Sequence, residues 1–305
     1  MKFSVIITLY NKAPYISRTL MSVLSQSKKP YEIVIVDDVS TDNSLEVVNA
    51  TLAQNSGLCE GVKVQLIQHS KNGGPSVSRN TALKAVSGDY VFLLDADDEY
   101  HKGVFASAER IFEFHAPSLL FLQFERDVGG RVLPIIDRLN SITQPLGSGV
   151  YYLRNIVAAF GHDSFGMNGS SVVCKRSALE GVFYRENLNC FEGLEYWYRV
   201  VKALPEVERT ACLLSGVQVT IHLTENSVSR RLVDNGGEIY LPAQFSQFRG
   251  SDDIDDQQLR KRIYTIWIRN AFLKLPHWYQ RAIFIWRFKR QVIENTYLNW
   301  RYRLN

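Results

Sequence analysis

The feature that most constrains this chain is a fourfold alternation in its first hundred residues. Short apolar runs rich in Val and Ile alternate with segments of helical periodicity. Phe3–Leu9, Glu32–Val36, Val62–Ile67 and Tyr90–Leu94 read as buried strands. Between them lie a helix opened by Pro14 with an apolar face of Ile16, Leu20, Val23 and Leu24, a helix through Leu45, Val47 and Val48 with Ser40, Thr41 and Asp42 as capping residues, and a helix opened by Pro75. Strands that alternate with helices in this way predict a parallel sheet covered on its faces. Such sheets bind ligands beyond the carboxyl ends of their strands. Three of these ends are polar: Thr8 to Asn11, Asp37 to Ser40, and Asp95-Ala96-Asp97-Asp98.

The rest of the chain reads in coarser strokes. Gly147–Gly149 and Gly161–Gly169 are loops, Val172–Lys175 a strand, Glu192–Val201 a helix and Val217–Leu223 a strand. Thr224–Gly237 is a polar loop, Ser251–Asp256 an acidic linker, and the last ~48 residues are helical with Pro276 between two helices. The net charge of +4 divides unevenly. From Gln258 to Asn305 eleven basic residues face Glu294 alone, a local balance of +10 that leaves −6 for everything before it. Aromatic residues interleave with those charges, a composition suited to a helix lying on an anionic membrane surface, to packing on the protein, or to a homodimer interface. No nucleic-acid-binding module accompanies the charge, so no nucleic-acid partner is expected.

A 46% hydrophobic and 22% charged composition argues against disorder, and no apolar run approaches the ~18–20 residues of a spanning helix. The N-terminus carries no secretory pattern, so the expected location is the cytoplasm, including the inner face of the cell membrane. Cys59, Cys174, Cys190 and Cys212 form no Cys-x-x-Cys pair and are expected to be free thiols.

Carboxylates after a buried strand, as in Asp95-Ala96-Asp97-Asp98, suit a hard divalent cation carrying a diphosphate. Asp37-Asp38 offers acceptors for a ribose or base, and Asn72 to Asn80 places glycines before a helix with Arg79 one turn inside, where a diphosphate could be met. Read together, Ser4 to Asn11, EIVIVDDVSTD (Glu32 to Asp42), NGGPSVSRN (Asn72 to Asn80) and GDYVFLLDADD (Gly88 to Asp98) resemble glycosyltransferase family 2. Val39 stands where that family usually has Gly.

The resemblance implies an α/β fold of the A type, a Rossmann-like, mostly parallel sheet flanked by helices. The transferase domain would span residues 1–225, with a nucleotide-binding half over 1–100 and an acceptor half over 101–225. A loop, linker and basic helical extension would follow over 226–305. Thr8 and Tyr10 would line the base pocket, Asp38 and Arg79 would contact the nucleotide, Asp95 the ribose or metal, and Asp98 the same neighbourhood. Asp97 would bind Mn²⁺ or Mg²⁺, with His222 completing the metal site. NGSSVVCKR (Asn168 to Arg176) and ENLNCFEGLEYWYR (Glu186 to Arg199) resemble the acceptor half. The Asp that would act as base falls on Gly193, leaving Glu192 and Glu195 as candidates. Arg230 or Arg231 would neutralise diphosphate. The implied reaction is inverting transfer from a nucleotide sugar, with a UDP-sugar favoured, to a glycan or lipid-linked acceptor in bacterial surface polysaccharide synthesis. A sugar-nucleotide binder without catalysis is the alternative. A nucleotidyltransferase is disfavoured because no glycine follows the first strand, and a dehydrogenase lacks its Gly-x-Gly-x-x-Gly.

Overall fold

A computed structural model of the chain describes residues 1–162, 164–186, 188, 191–223, 253–275 and 277–301. The expected alternation is present: β1 (Phe3–Leu9), α1 (Ala13–Leu24), β2 (Glu32–Asp37), α2 (Ser44–Gln54), β3 (Lys63–Gln68), α3 (Gly74–Ala85) and β4 (Tyr90–Asp95). There follow β5 (Glu99–Tyr100), α4 (Val104–His115), β6 (Leu119–Arg126), β7 (Val132–Leu133), β8 (Thr143–Gly147), β9 (Val150–Leu153) and α5 (Ile156–Gly161). The remaining elements are β10 (Val172–Lys175), α6 (Glu192–Ala203), β11 (Ala211–Ile221), α7 (Ile254–Lys274), α8 (Trp278–Arg287) and α9 (Lys289–Arg301).

All described strands join one sheet, with the order β3-β2-β1-β4-β10-β6-β11-β9-β8 and with β5 on β11 and β7 on β6. The first four are parallel, and β10 runs antiparallel between β4 and β6. The strand period of two divides the apolar side chains between two cores. Phe3, Val5, Ile7, Phe92 and Leu94 face α1 and α4, whereas Ile6, Val34, Val91 and Leu93 belong to the core shared with α5, α6 and α7. Burial on both faces explains why these strands read as unbroken apolar runs rather than alternating ones.

Two expectations are corrected. Asp253 to Asp256 is not linker: Asp253 caps α7, its side chain accepting from the N–H groups of Asp255 and Asp256. Asp42 caps α1 as well as its own segment, taking the Ala13 N–H at 3.1 Å on one oxygen and the Ser44 N–H at 3.0 Å on the other. Ser40 and Thr41 serve Asn11: its N–H donates to Ser40 Oγ, and its side-chain oxygen accepts from the Thr41 N–H.

The basic extension packs on the fold. Leu259, Ile263, Tyr264, Trp267 and Ala271 bury one face of α7, and Phe284 and Phe288 close over the Trp267 ring at 5.2 and 5.0 Å. Gly161 makes the contact with α5 possible, because a Cβ there would meet Gln258 Cβ at 2.8 Å. Arg262 is buried and donates to the Phe160 carbonyl at 2.6 Å and to that of Phe165. Cys174 and Cys212 are buried free thiols, Cys59 is half-buried, and Cys190 lies outside the described residues. No described helix is long and apolar enough to cross a membrane.

Candidate active site

The parallel register levels the strand ends. Thr8 pairs with Val36 on β2 and with Asp95 on β4, and Leu9 pairs with Asp37. Thr8 is half-buried there, and Tyr10 just beyond it is exposed. Arg79 reaches this edge from α3 and is buried. Its guanidinium lies 2.9 Å from Asp95 Oδ1 and 3.6 Å from Glu192 Oε1, over the ring of Tyr184 at 5.3 Å. Burial alone would lower the Arg79 pKa. Asp95 and Glu192 outweigh it and hold the guanidinium above its usual value. One cation therefore joins the acidic end of β4 to the first turn of α6.

Asp97 meets a second cation. Lys12 Nζ lies 2.5 Å from Asp97 Oδ2, and Arg18 donates to the Asp97 carbonyl at 3.3 Å while pairing with Glu99 at 2.8 Å. Lys12 follows β1, and its only sequence signal was its place at a polar strand end. Asp98 turns inward. It is buried, accepts from Ser170 Oγ at 2.5 Å and takes the His222 N–H at 3.0 Å. Burial, then repulsion from Asp95, pushes its carboxyl well above the usual range. Ser170 also accepts the Asp95 N–H at 3.0 Å, so the Asn168–Ser171 turn clamps the acidic loop. Gly169 sits against this clamp, its Cβ position 3.6 Å from Arg79 and 3.8 Å from Asp95, in ordinary contact with both.

Asp38 anchors the glycine loop. Its carboxylate accepts from the Gly73 N–H at 2.9 Å and the Gly74 N–H at 2.7 Å, and bonds His69 Nδ1 at 2.9 Å. The loop amides that looked available for a diphosphate are thus engaged by Asp38, and His69, which carried no recognisable motif, is part of the same knot. Val39 beside it has φ 63°, the left-handed region that favours glycine.

The two base candidates are separated by their surroundings. Glu195 is 0% exposed and pairs with Arg199 at 2.6 Å and Arg185 at 3.3 Å, whereas the Glu192 side chain is 16% exposed beside Arg79. Gly193 has open space where a side chain would project. His222 does not fit as a metal ligand in this arrangement, because Nε2 is 2.7 Å from Glu99 and Nδ1 2.9 Å from Asp127. Both ring nitrogens therefore face a carboxylate oxygen. Among the described residues no group of three or more His, Cys, Asp or Glu forms a ready metal cage. Asp95 and Asp97 do fit a cation that arrives with its substrate, since Mg²⁺-type sites commonly take one or two carboxylates and complete their shell from phosphates and water. Arg230 and Arg231 lie outside the described residues.

The family model described as Glycosyl transferase family 2 matches residues 4–178, and the chain belongs to that family. It is 35% identical over 136 residues to the poly(ribitol-phosphate) beta-N-acetylglucosaminyltransferase TarS of Staphylococcus aureus, a match covering 44% of this chain and 22% of that protein. The matched segment thus spans about a fifth of that relative's length. The fold matches the crystal structure of S. aureus TarS 1-349 in complex with UDP-GlcNAc, with a TM-score of 0.66 at 21% identity, over 96% of this chain and 81% of that one. It also matches the mannosyltransferase PcManGT from Pyrobaculum calidifontis in complex with GDP-Man and Mn2+, with a TM-score of 0.52 at 16% identity, over 89% and 64% of the two chains. The α/β fold is therefore the A-type glycosyltransferase fold, with C-terminal helices added.

Proposed function

We propose that this chain transfers a sugar from a nucleotide diphosphate sugar, with UDP-sugars favoured, to a hydroxyl of a bacterial cell-envelope polymer or its lipid-linked precursor, inverting the anomeric centre. The observation that carries the reading is the placement of Arg79 between Asp95 and Glu192. It couples the acidic edge that would receive a diphosphate to a partly exposed carboxylate on the acceptor-side helix.

Glu192 is the base in this reading. It accepts the proton of the attacking hydroxyl, and the neighbouring guanidinium fixes its orientation. Glu192 precedes Gly193 at the start of the helix and directs its carboxylate to Arg79 at 3.6 Å. Glu195 holds Arg199 and Arg185 in place and takes no part in the proton transfer. Asp95 and Asp97 would hold a Mn²⁺ or Mg²⁺ ion, which when bound would offset charge on the departing diphosphate. Lys12 and Arg79 bring positive charge to the same edge from the protein itself. Thr8 and Tyr10 border the base pocket. Asp38 and Asp98 act by shaping the loops that line it. The relative's bound UDP-GlcNAc and the polymer acceptors in the relatives' names support the choice of donor and acceptor class. In this reading the enzyme works on the cytoplasmic side of the membrane.

Glu192→Gln is expected to lower kcat by roughly 10²–10⁴-fold with donor affinity unchanged, measured as UDP release with calorimetric donor titration. Unchanged kcat in that variant would remove Glu192 from the reaction. Gly193 favours one second reading, a donor-binding protein without transfer. A chain that binds UDP-GlcNAc but releases no UDP with any polyol-phosphate or glycan acceptor would establish it.

A further inference from the structure

Helix α8 is built unlike the other helices of the basic extension. Its apolar inward contacts are made by Phe284 and then Phe288 just past its end, with Gln280 half-buried one turn earlier and Arg281 donating to the Leu275 carbonyl at 2.8 Å. At about 100° per residue the opposite side carries Trp278, Tyr279, Ala282, Ile283, Ile285 and Trp286. Trp278 is 79% exposed and Trp286 75% exposed, so the largest side chains of the helix face away from the protein.

Charge frames this apolar side. Arg281 and Arg287 lie about 60° to either side of the inward stripe, and Lys289 and Arg290 follow at the start of α9. All four are exposed, and no acidic residue occurs between Asp256 and Glu294. A ten-residue helix is about 15 Å long, half of a bilayer's hydrocarbon thickness, so it can lie in an interface but not cross it.

We propose that α8 docks this chain onto an anionic lipid bilayer, its Trp, Tyr and Ile side chains entering the headgroup boundary while the basic residues at its margins meet lipid phosphates. Charge complementarity selects this occupant. A second copy seated on the same face would oppose arginine to arginine with no acidic residue in the segment to offset them. A nucleic acid would meet indole and aliphatic groups where it needs donors. The packing of Phe284 and Phe288 on Trp267 keeps the helix attached to the fold while its other side inserts.

The test is flotation of the full chain with vesicles, either pure phosphatidylcholine or about three parts phosphatidylcholine to one of phosphatidylglycerol. Binding is expected only to the anionic vesicles, weakening as salt is raised, with a blue shift of tryptophan emission. Trp278→Ser with Trp286→Ser should weaken partitioning at least about tenfold, and Arg281→Gln with Arg287→Gln about fivefold per charge. The tryptophan variant should keep the parent's Tm, because both of its altered side chains are exposed, whereas the arginine variant also loses the hydrogen bond from Arg281 Nε to the Leu275 carbonyl and should show a small fall in Tm. Absence of binding to anionic vesicles overturns the proposal. So does unchanged binding in the tryptophan variant, or a solution dimer, seen by sedimentation velocity, that dissociates in that variant without any vesicle binding.

Discussion

Val39 holds a β-branched side chain at φ 63°, next to the Asp38 knot that ties the second strand's end to the glycine loop. A left-handed conformation costs such a residue roughly 1–2 kcal/mol, so Val39→Gly should raise stability by about 1 kcal/mol after the extra unfolded-state entropy is counted, measured as a shift in urea midpoint. The departure from the family's glycine was visible in the sequence, but its cost depends on a dihedral angle. Glu32 illustrates the opposite case, a residue whose type announced nothing. It is buried at the far end of the sheet and accepts from Ser4 Oγ at 2.7 Å, the Ser87 N–H at 2.5 Å and the Gly88 N–H at 3.1 Å. Burial pushes its pKa up, and these donors, led by the Ser87 N–H, more than reverse that, leaving the carboxyl below its usual 4.5. A depressed carboxylate contributes stability that is complete above the unfolded value and lost as pH falls through the folded one. Glu32→Gln should therefore flatten the acid limb of a stability–pH curve below about 4.5, and cost about 1.5–3 kcal/mol at neutral pH.

At the scale of elements, the sequence of α7 predicts a helix but not its start. Asp253, Asp255 and Asp256 form an acidic run that resembles a linker, yet acids at a helix N-terminus are also what capping and the helix dipole favour. Only the position of Lys202, 2.5 Å from Asp253, and of Tyr198, which donates to Asp256, decides between the two. Asp253→Ala should cost about 1 kcal/mol by thermal unfolding, the usual value of an N-cap, and Asp253→Asn should recover most of it. Helix α6 shows a similar limit. Its periodicity was legible, and so was the absence of the expected Asp at Gly193. The choice between Glu192 and Glu195 was not, since both lie in its first turns and differ only in what surrounds them. The chain answers Glu195 with two arginines from within and before its own helix, and it answers Glu192 with one from α3.

For the molecule as a whole, the basic extension is part of the fold that carries the site. Trp267 is buried between α7 and the pair Phe284 and Phe288, in the same core as Tyr198 and Phe160. Trp267→Ala should destabilise by about 3–5 kcal/mol, and a chain stopped before Asp253 should lose cooperative unfolding, checked by calorimetry, because it would leave that core open on one side. The charge asymmetry of −6 and +10 keeps its meaning in altered form: some of the tail's arginines, such as Arg262, hold carbonyls inside the protein, while Arg281 and Arg287 border the outward face of α8. Strand and helix order, the parallel sheet and the acidic edge were determined by the sequence alone, because local periodicity and buried apolar runs depend on near neighbours along the chain. Which carboxylates remain available at that edge, and which aromatic residues of the tail remain outside, was decided only by the tertiary structure. Availability depends on partners remote in sequence: Lys12 for Asp97, Ser170 for Asp98, Gly73 for Asp38 and Trp267 for Phe284.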